Sequence, residues 1–391
     1  MSERAGARMA DKWEQVPASA QSREMIWSPP RSFAGDVWFR FRKKPTALAG
    51  FVMVALLLAF AAAGPMLSPY KYSDQTLGLA NIPPVLRVCA LPGGSYLYIS
   101  PAMKVIEVAP NGKLLGRLEK VTDEEAQKRI SFRLGDGALI YLDYSQKPFA
   151  MMDGDGRRLP ADKSVWNATY LLGTDQLGRD ILTRLMYGTR ISLLVAFIAA
   201  LVNMVIGILY GSVSGFLGGR TDAVMMRIVD IIATIPLTLY VILIKVTLDS
   251  GLVSIIVALS SVYWVEMARV VRGQVLSLRQ QEFVLAAKTI GSSTRTILLR
   301  HLIPNAMGPI LVTVTMLIPS AIFMEAFMSF IGIGIAPPMA SLGTMCNDAM
   351  EALRSNPYQL FLPALVICMI MFAFNFVGDG MRDALDPKLK K

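Results

Sequence analysis

Six apolar runs, each near the length that crosses a lipid bilayer, leave this chain few folds to choose from. A hydrocarbon core about 30 Å thick takes about 20 residues of helix. Inside it, only helices and closed barrels satisfy their own backbone groups. Residues 46–67 meet that length directly after the basic residues Arg40, Arg42, Lys43 and Lys44. Residues 191–217, 231–248 (with Lys245 near one end), 252–265, 308–331 (interrupted by Glu325) and 360–377 supply five more candidates. Of the 391 residues, 53% are hydrophobic and 17% charged, and the mean hydropathy is +0.46. Such values belong to an integral membrane protein. The expectation is an α-helical integral membrane protein with six transmembrane helices.

The basic residues choose the orientation. The net charge of +10 is better explained by Lys and Arg gathered in cytoplasmic loops than by nucleic acid, so no nucleic-acid partner is expected. Residues 40–44, Arg220, Arg227, the 269–301 loop and the 382–391 tail all fall on one face. Both termini are therefore expected in the cytoplasm, with 68–189, 249–251 and 337–359 outside. Residues 1–45 read as a flexible cytoplasmic leader. A cleaved signal peptide is not expected, because the first apolar run starts only at residue 46 and has full membrane length. The division is then 1–45 leader, 46–67 first span, 68–189 extracytoplasmic, 190–378 spans two to six with a cytoplasmic loop at 269–305, and 379–391 tail.

The 68–189 connection is too long for a simple loop. Residues 95–100 alternate as in a strand, and 104–108 and 113–118 flank Pro110-Asn111-Gly112, a hairpin signal. Residues 130–134 and 138–144 flank Gly135-Asp136-Gly137, and Asp153-Gly154-Asp155-Gly156 is a further turn. A short helix is expected over 123–129. Residues 70–167 thus read as a small β-rich extracytoplasmic insert.

In the 269–305 loop, residues 281–290 have helical composition, Gly291 breaks the helix, and Ser292-Ser293 can cap a second one over 294–302. Pro304 is expected to end that second helix. The string Gln281-Glu282-Phe283-Val284-Leu285-Ala286-Ala287-Lys288-Thr289-Ile290-Gly291, followed by His301-Leu302-Ile303-Pro304-Asn305, resembles the "EAA" loop of bacterial ABC importer permeases. It departs from that motif at Leu285, where the family carries Glu. A second string, Leu172-Gly173-Thr174-Asp175-Gln176-Leu177-Gly178-Arg179-Asp180, resembles the "LGTDxLGRD" signature ahead of the second span in C-type subunits of oligopeptide and dipeptide permeases. Phe216-Leu217-Gly218-Gly219-Arg220-Thr221-Asp222 and Glu325-Ala326-Phe327-Met328-Ser329-Phe330 agree with the same family. The resemblance covers roughly 40–67 and 172–387 and leaves 70–167 outside.

The resemblance implies the fold of a type I ABC importer permease in a bacterial cytoplasmic (inner) membrane, moving peptides or related small solutes by alternating access. It implies as partners a second homologous permease, two ATP-binding subunits, an extracytoplasmic substrate-binding protein and membrane lipid. The coupling helix that docks on an ATPase would comprise Glu282, Val284, Leu285, Ala286, Ala287, Gly291 and Arg295. Gly173, Asp175, Gly178, Arg179 and Asp180 would shape the outer mouth. ATP and Mg would be bound by the partner subunits, since no G-x-x-x-x-G-K-[ST] loop occurs here. No catalytic set, metal cluster or cofactor of its own is expected, and the only histidine is His301.

Charges inside spans cost about 2.5 kcal/mol or more, so Glu325 and Lys245 are candidates for the translocation path. Glu325 equally fits a hydrogen bond to a neighbouring helix, and Lys245 fits a snorkelling side chain. A bridge between Cys89 and Cys346 is not expected. Two other classes remain open. A secondary transporter or channel would need membrane charges and no docking loop. An anchored sensor, with 70–167 as its working domain, would need fewer spans.

Overall fold

The computed structural model describes residues 32–91, 93–135, 137–248, 251–336 and 338–385. Most of the leader, the 249–250 part of the second outer turn, Asp136, Pro337 and the 386–391 end of the tail lie outside the described residues. Helix α1 (Phe33–Lys43) carries an i, i+4 ion pair, Arg40 to Asp36 at 2.9 Å.

Beyond it, among the described residues, five helices are long and apolar enough to cross a membrane, or up to six if one bent pair counts as a span. They include α2 (Pro45–Leu67) and α3 (Ile181–Leu217). The 37-residue α3 starts ten residues before the expected second span, because Asp180 caps it there. At 1.5 Å per residue it is about 55 Å long, well beyond a hydrocarbon core.

The expected third span over 231–248 is not continuous. Helix α4 (Gly219–Thr234) and α5 (Leu237–Leu248) meet at an 84° bend. Pro236 is the cause: it holds Ile235 in the extended region (ψ 124) and has no N–H to continue the ladder. Helices α6 (Leu252–Val262) and α7 (Trp264–Leu278) make one run of 27 residues. Next come α8 (Glu282–Thr289) and α9 (Thr294–Phe330).

Pro304 does not end a helix. A π-helical stretch, Ile297–Leu302, precedes it, and the helix continues through it into the membrane run. The wider turn makes room for a ring that would strike the carbonyl four residues back. The expected outer loop 337–359 contains a capped helix, α10 (Leu342–Ala349), whose residues 342–346 are buried. Helix α11 (Tyr358–Leu385) closes the bundle.

Close backbone approaches hold the bundle together. A Cβ on Gly207, Gly211 or Gly215 of α3 would lie 2.4–2.8 Å from atoms of Met267, Ala268 or Arg272 in α7. Gly380 of α11 sits against Ala47 and Phe41, and Lys44 is ion-paired with Asp383. The start of α2 and the end of α11 thus share one end of the bundle. At the other end, Arg190 of α3 donates to the carbonyls of Ala61 and Ala62, both at 2.9 Å.

Between α2 and α3 the chain forms ten antiparallel strands: β1 (Val85–Ala90), β2 (Tyr96–Ile99), β3 (Val105–Val108), β4 (Leu114–Arg117), β5 (Glu119–Glu124), β6 (Arg129–Arg133), β7 (Leu139–Asp143), β8 (Ala150–Met152), β9 (Arg158–Leu159) and β10 (Lys163–Trp166). They make two five-stranded sheets, ordered β10-β1-β2-β3-β4 and β5-β6-β7-β8-β9. The helix expected over 123–129 is absent. Only the 3₁₀ turn Glu125–Gln127 breaks a hairpin in which Asp123 faces Ile130 and Glu124 faces Arg129. A lone helical turn nucleates poorly, and the cross-strand ladder wins. Two apolar clusters, one around Phe132 and Leu142 and one around Leu86 and Ile106, belong to this β region. Cys89 lies in the first, buried and unbridged, and Cys346 is also a free thiol.

Candidate functional site

The loop before α3 is a compact turn organised by Asp175. Its Oδ1 accepts the backbone N–H groups of Leu177 and Arg179, both at 2.9 Å. Gly173 (φ +80) and Gly178 (φ +72) take left-handed conformations, and a Cβ on Gly178 would lie 2.0 Å from the Thr76 carbonyl. Only glycine fits there. Segment 76–82 zips onto the loop through Thr76 N–H to Leu177 O (3.1 Å), Asn81 N–H to Asp175 O (2.9 Å) and Thr174 N–H to Ile82 O (2.9 Å).

Asp175, Arg179 and Asp180 are all buried, but they do not form a single cluster. Asp180 turns to α3, where its Oδ2 accepts Thr183 N–H at 2.8 Å and Thr183 Oγ1–H at 2.5 Å. Burial pushes the Asp180 carboxyl above its usual range, and the Thr183 hydrogen bonds pull the other way. Asp175 and Arg179 instead join Arg184, which follows the motif in the matching stretch, and Asp348, which the sequence did not single out. Asp175 Oδ2 accepts Arg179 Nε at 2.6 Å and Arg184 Nη1 at 2.5 Å. Asp348 Oδ2, on α10, accepts Arg179 Nη2 and Arg184 Nη2, each at 2.9 Å. Two carboxylates balance two guanidinium groups, as buried charges require. The square locks the loop, α3 and α10 together. Gln359 of α11 adds a fourth element by donating to Thr174 O at 3.0 Å.

At the other end of the bundle, α8 and the start of α9 form a hairpin about Gly291 (φ +84), where Ser292 N–H closes on Ala287 O at 3.0 Å. Ser293 caps the second helix through Thr296 N–H at 3.3 Å. The seven residues expected to dock separate into two sets. Val284 and Ala287 are buried in a cluster with Val271, Val275 and Leu302, so they anchor the hairpin to the bundle. Glu282, Leu285, Ala286, Gly291 and Arg295 are exposed. Beside them lie two apolar side chains not singled out in the sequence, Phe283 at 40% exposure and Ile290 at 83%. Leu285, at 52%, occupies the outward position where the motif has Glu.

The hairpin is clamped to the bundle. Arg279 Nη1 donates to the Gly215 and Phe216 carbonyls at 3.1 Å, at the end of α3. Lys288 lies 5.3 Å from the Phe216 ring centroid. Arg272 grips Asp222 of α4 at 2.5 and 2.6 Å. A hairpin with an exposed apolar face, packed on α7 and touching the end of α3, can pass a push from outside into the bundle.

The two in-span charges fare differently. Glu325 is wholly buried and accepts hydrogen bonds from Ser192 of α3 at 2.6 Å and Ser329 at 2.9 Å. It therefore ties helices together inside this chain. Lys245 is half-buried and its ammonium donates to Gly332 O at 3.2 Å.

Comparison with known proteins places this bundle in a class. The family described as "Binding-protein-dependent transport system inner membrane component" matches residues 207–391, and "N-terminal TM domain of oligopeptide transport permease C" matches 32–84. These matches and the apolar helices define a multi-pass inner-membrane transport permease. The chain is 38% identical over 379 residues to the oligopeptide transport system permease protein OppC of Bacillus subtilis (strain 168), covering 97% of each. It is 37% identical to the dipeptide transport system permease protein DppC of the same strain, over 94% of this chain and 90% of that one. With OppC of Escherichia coli (strain K12) it shares 44% identity over 61% of this chain and 79% of that one. The chain belongs to the C-type family of oligopeptide and dipeptide ABC importer permeases. The Bacillus alignments run through 70–167, which the motif resemblance alone left outside.

Proposed function

We propose that this chain is one of two permease subunits of an ATP-driven importer that moves peptides inward by alternating access. The observation that carries the reading is near-full-length similarity to permeases of oligopeptide and dipeptide transport systems. In this reading the bent pair α4–α5 serves as one of six spans, and both termini are cytoplasmic. The β region lies outside, where a substrate-binding protein delivers its cargo. The Asp175–Arg179–Arg184–Asp348 square shapes the outer mouth. Two ATPase subunits bind ATP and Mg, and one of them seats the exposed face of α8.

The apolar character of that face favours this reading over a secondary transporter, which has no use for Phe283, Leu285 and Ile290 in water. The test is co-purification and uptake. Leu285→Asp combined with Ile290→Asp alters only exposed side chains, so the chain is expected to insert normally. It should lose at least about tenfold in ATPase co-purification, about 1.4 kcal/mol of binding, and ATP-dependent peptide uptake into vesicles should fall with it. Undiminished co-purification and uptake would sink the docking assignment.

A further inference from the structure

A cavity of about 430 Å³ opens between α7, α9 and α11, and Tyr263, Glu266, Ser320, Phe323 and Asn375 are among its lining residues. Glu266 stands in the 27-residue candidate span Leu252–Leu278, one turn before Arg269, and Asn375 lies in α11. The cavity is thus walled by three of the candidate spans. An ionised carboxylate within a span is costly unless it faces water, a partner or a ligand.

Several other acidic groups in or beside the apolar helices have partners. Glu325 has Ser192 and Ser329, Asp222 has Arg272, and Asp230 has Arg269. Glu266 is exposed to the cavity, and no hydrogen bond or ion pair reaches it among the described residues. Around it the wall changes character. Tyr263 and Phe323 offer aromatic surface, and Ser320 and Asn375 offer hydrogen-bonding groups. A carboxylate flanked by aromatic rings suits an ammonium group, which gains from both the charge and the ring faces. The amide of Asn375 and the hydroxyl of Ser320 suit peptide N–H and C=O groups.

We propose that Glu266 receives an ammonium group of the passing substrate, making this cavity a subsite among the spans that selects for cationic ends. The assignment rests on the peptide-import reading above. The ammonium comes either from the peptide's amino terminus or from a lysine side chain, and the test separates the two.

The intact transport complex, reconstituted with its binding protein in proteoliposomes, is assayed with Ala-Ala-Ala and Ala-Lys-Ala. If the terminal ammonium is the ligand, Glu266→Gln lowers uptake of both peptides about tenfold. If the side chain is the ligand, only Ala-Lys-Ala suffers. In either case Glu266→Asp, or Asn375→Asp added to Glu266→Gln, restores much of the loss, because a carboxylate returns to the same cavity. A purely structural role for Glu266 would not be rescued from another helix. Uptake of both peptides at the parental rate in Glu266→Gln overturns the proposal, and so does a loss that neither carboxylate restores. If the parental complex takes up neither peptide, the peptide reading itself falls, a result distinct from failure of the Glu266 variants alone.

Discussion

Asp175 does two jobs with two oxygens: one shapes a turn and the other holds two guanidinium groups. Removing it would leave Arg179 and Arg184 buried with only half their countercharge. Truncating one partner of a buried pair costs about 3–5 kcal/mol. Asp175→Ala is therefore expected to lower the unfolding midpoint of the detergent-solubilised protein strongly. Asp348→Ala should cost much less, since the Asp348 side chain is 37% exposed and water can replace it. Equal midpoints for the two variants would refute this ranking. The motif made Asp175, Arg179 and Asp180 visible in the sequence. It did not make Asp348 visible, because that partner lies 169 positions from Arg179 and 164 from Arg184. The one available signal was chemical: a buried Asp175 cannot balance two arginines.

Helix α3 crosses α7 through Gly207, Gly211 and Gly215, a small-xxx-small stripe that allows close backbone contact. The spacing was readable in Gly207-Ile-Leu-Tyr-Gly211-Ser-Val-Ser-Gly215, although no internal signal said which helix it would face. Gly211→Leu would push a Cβ to within 2.4 Å of the Ala268 carbonyl. Overpacking of this kind costs about 1–3 kcal/mol or more. The expected result is a lower thermal midpoint and a poorer yield of folded protein. Gly273→Ala in α7 is the control, since nothing lies within 4 Å of its would-be Cβ. There the helix should gain about 0.5–1 kcal/mol. The α4–α5 bend belongs to this scale too. Ile235-Pro236 was in plain view, yet hydropathy alone read through it, because a window average does not register a missing N–H.

Across the whole molecule, the β region and the helical bundle have separate cores. They meet where the two ends of the β region close: Asn167 N–H donates to the Pro84 carbonyl at 2.8 Å. Excising residues 85–166 and joining Pro84 to Asn167 with a short Gly linker is therefore expected to leave the bundle folded. It spares the contacts of 76–82 with Asp175, Leu177 and Gln359. Size-exclusion chromatography of the variant should show a monodisperse, membrane-extracted protein, and aggregation would mean that the bundle needs the β region. With a folded variant in hand, binding-protein affinity and uptake then assign the region its role.

The sequence by itself determined where the apolar helices lie, that a hairpin turns at Gly291, and which family the two motifs resemble. These are local properties, set by what a hydrocarbon core, a left-handed glycine and a short run of residues demand. Tertiary structure alone decided which face of α8 is free and that Glu325 is enclosed. It also decided that Arg184 and Asp348 complete the ion-pair square around Asp175, and that Glu266 stands unpaired in a cavity. The physical reason is the same in each case. Burial and ion pairing depend on which helices pack side by side, and that follows from contacts between residues far apart in the chain.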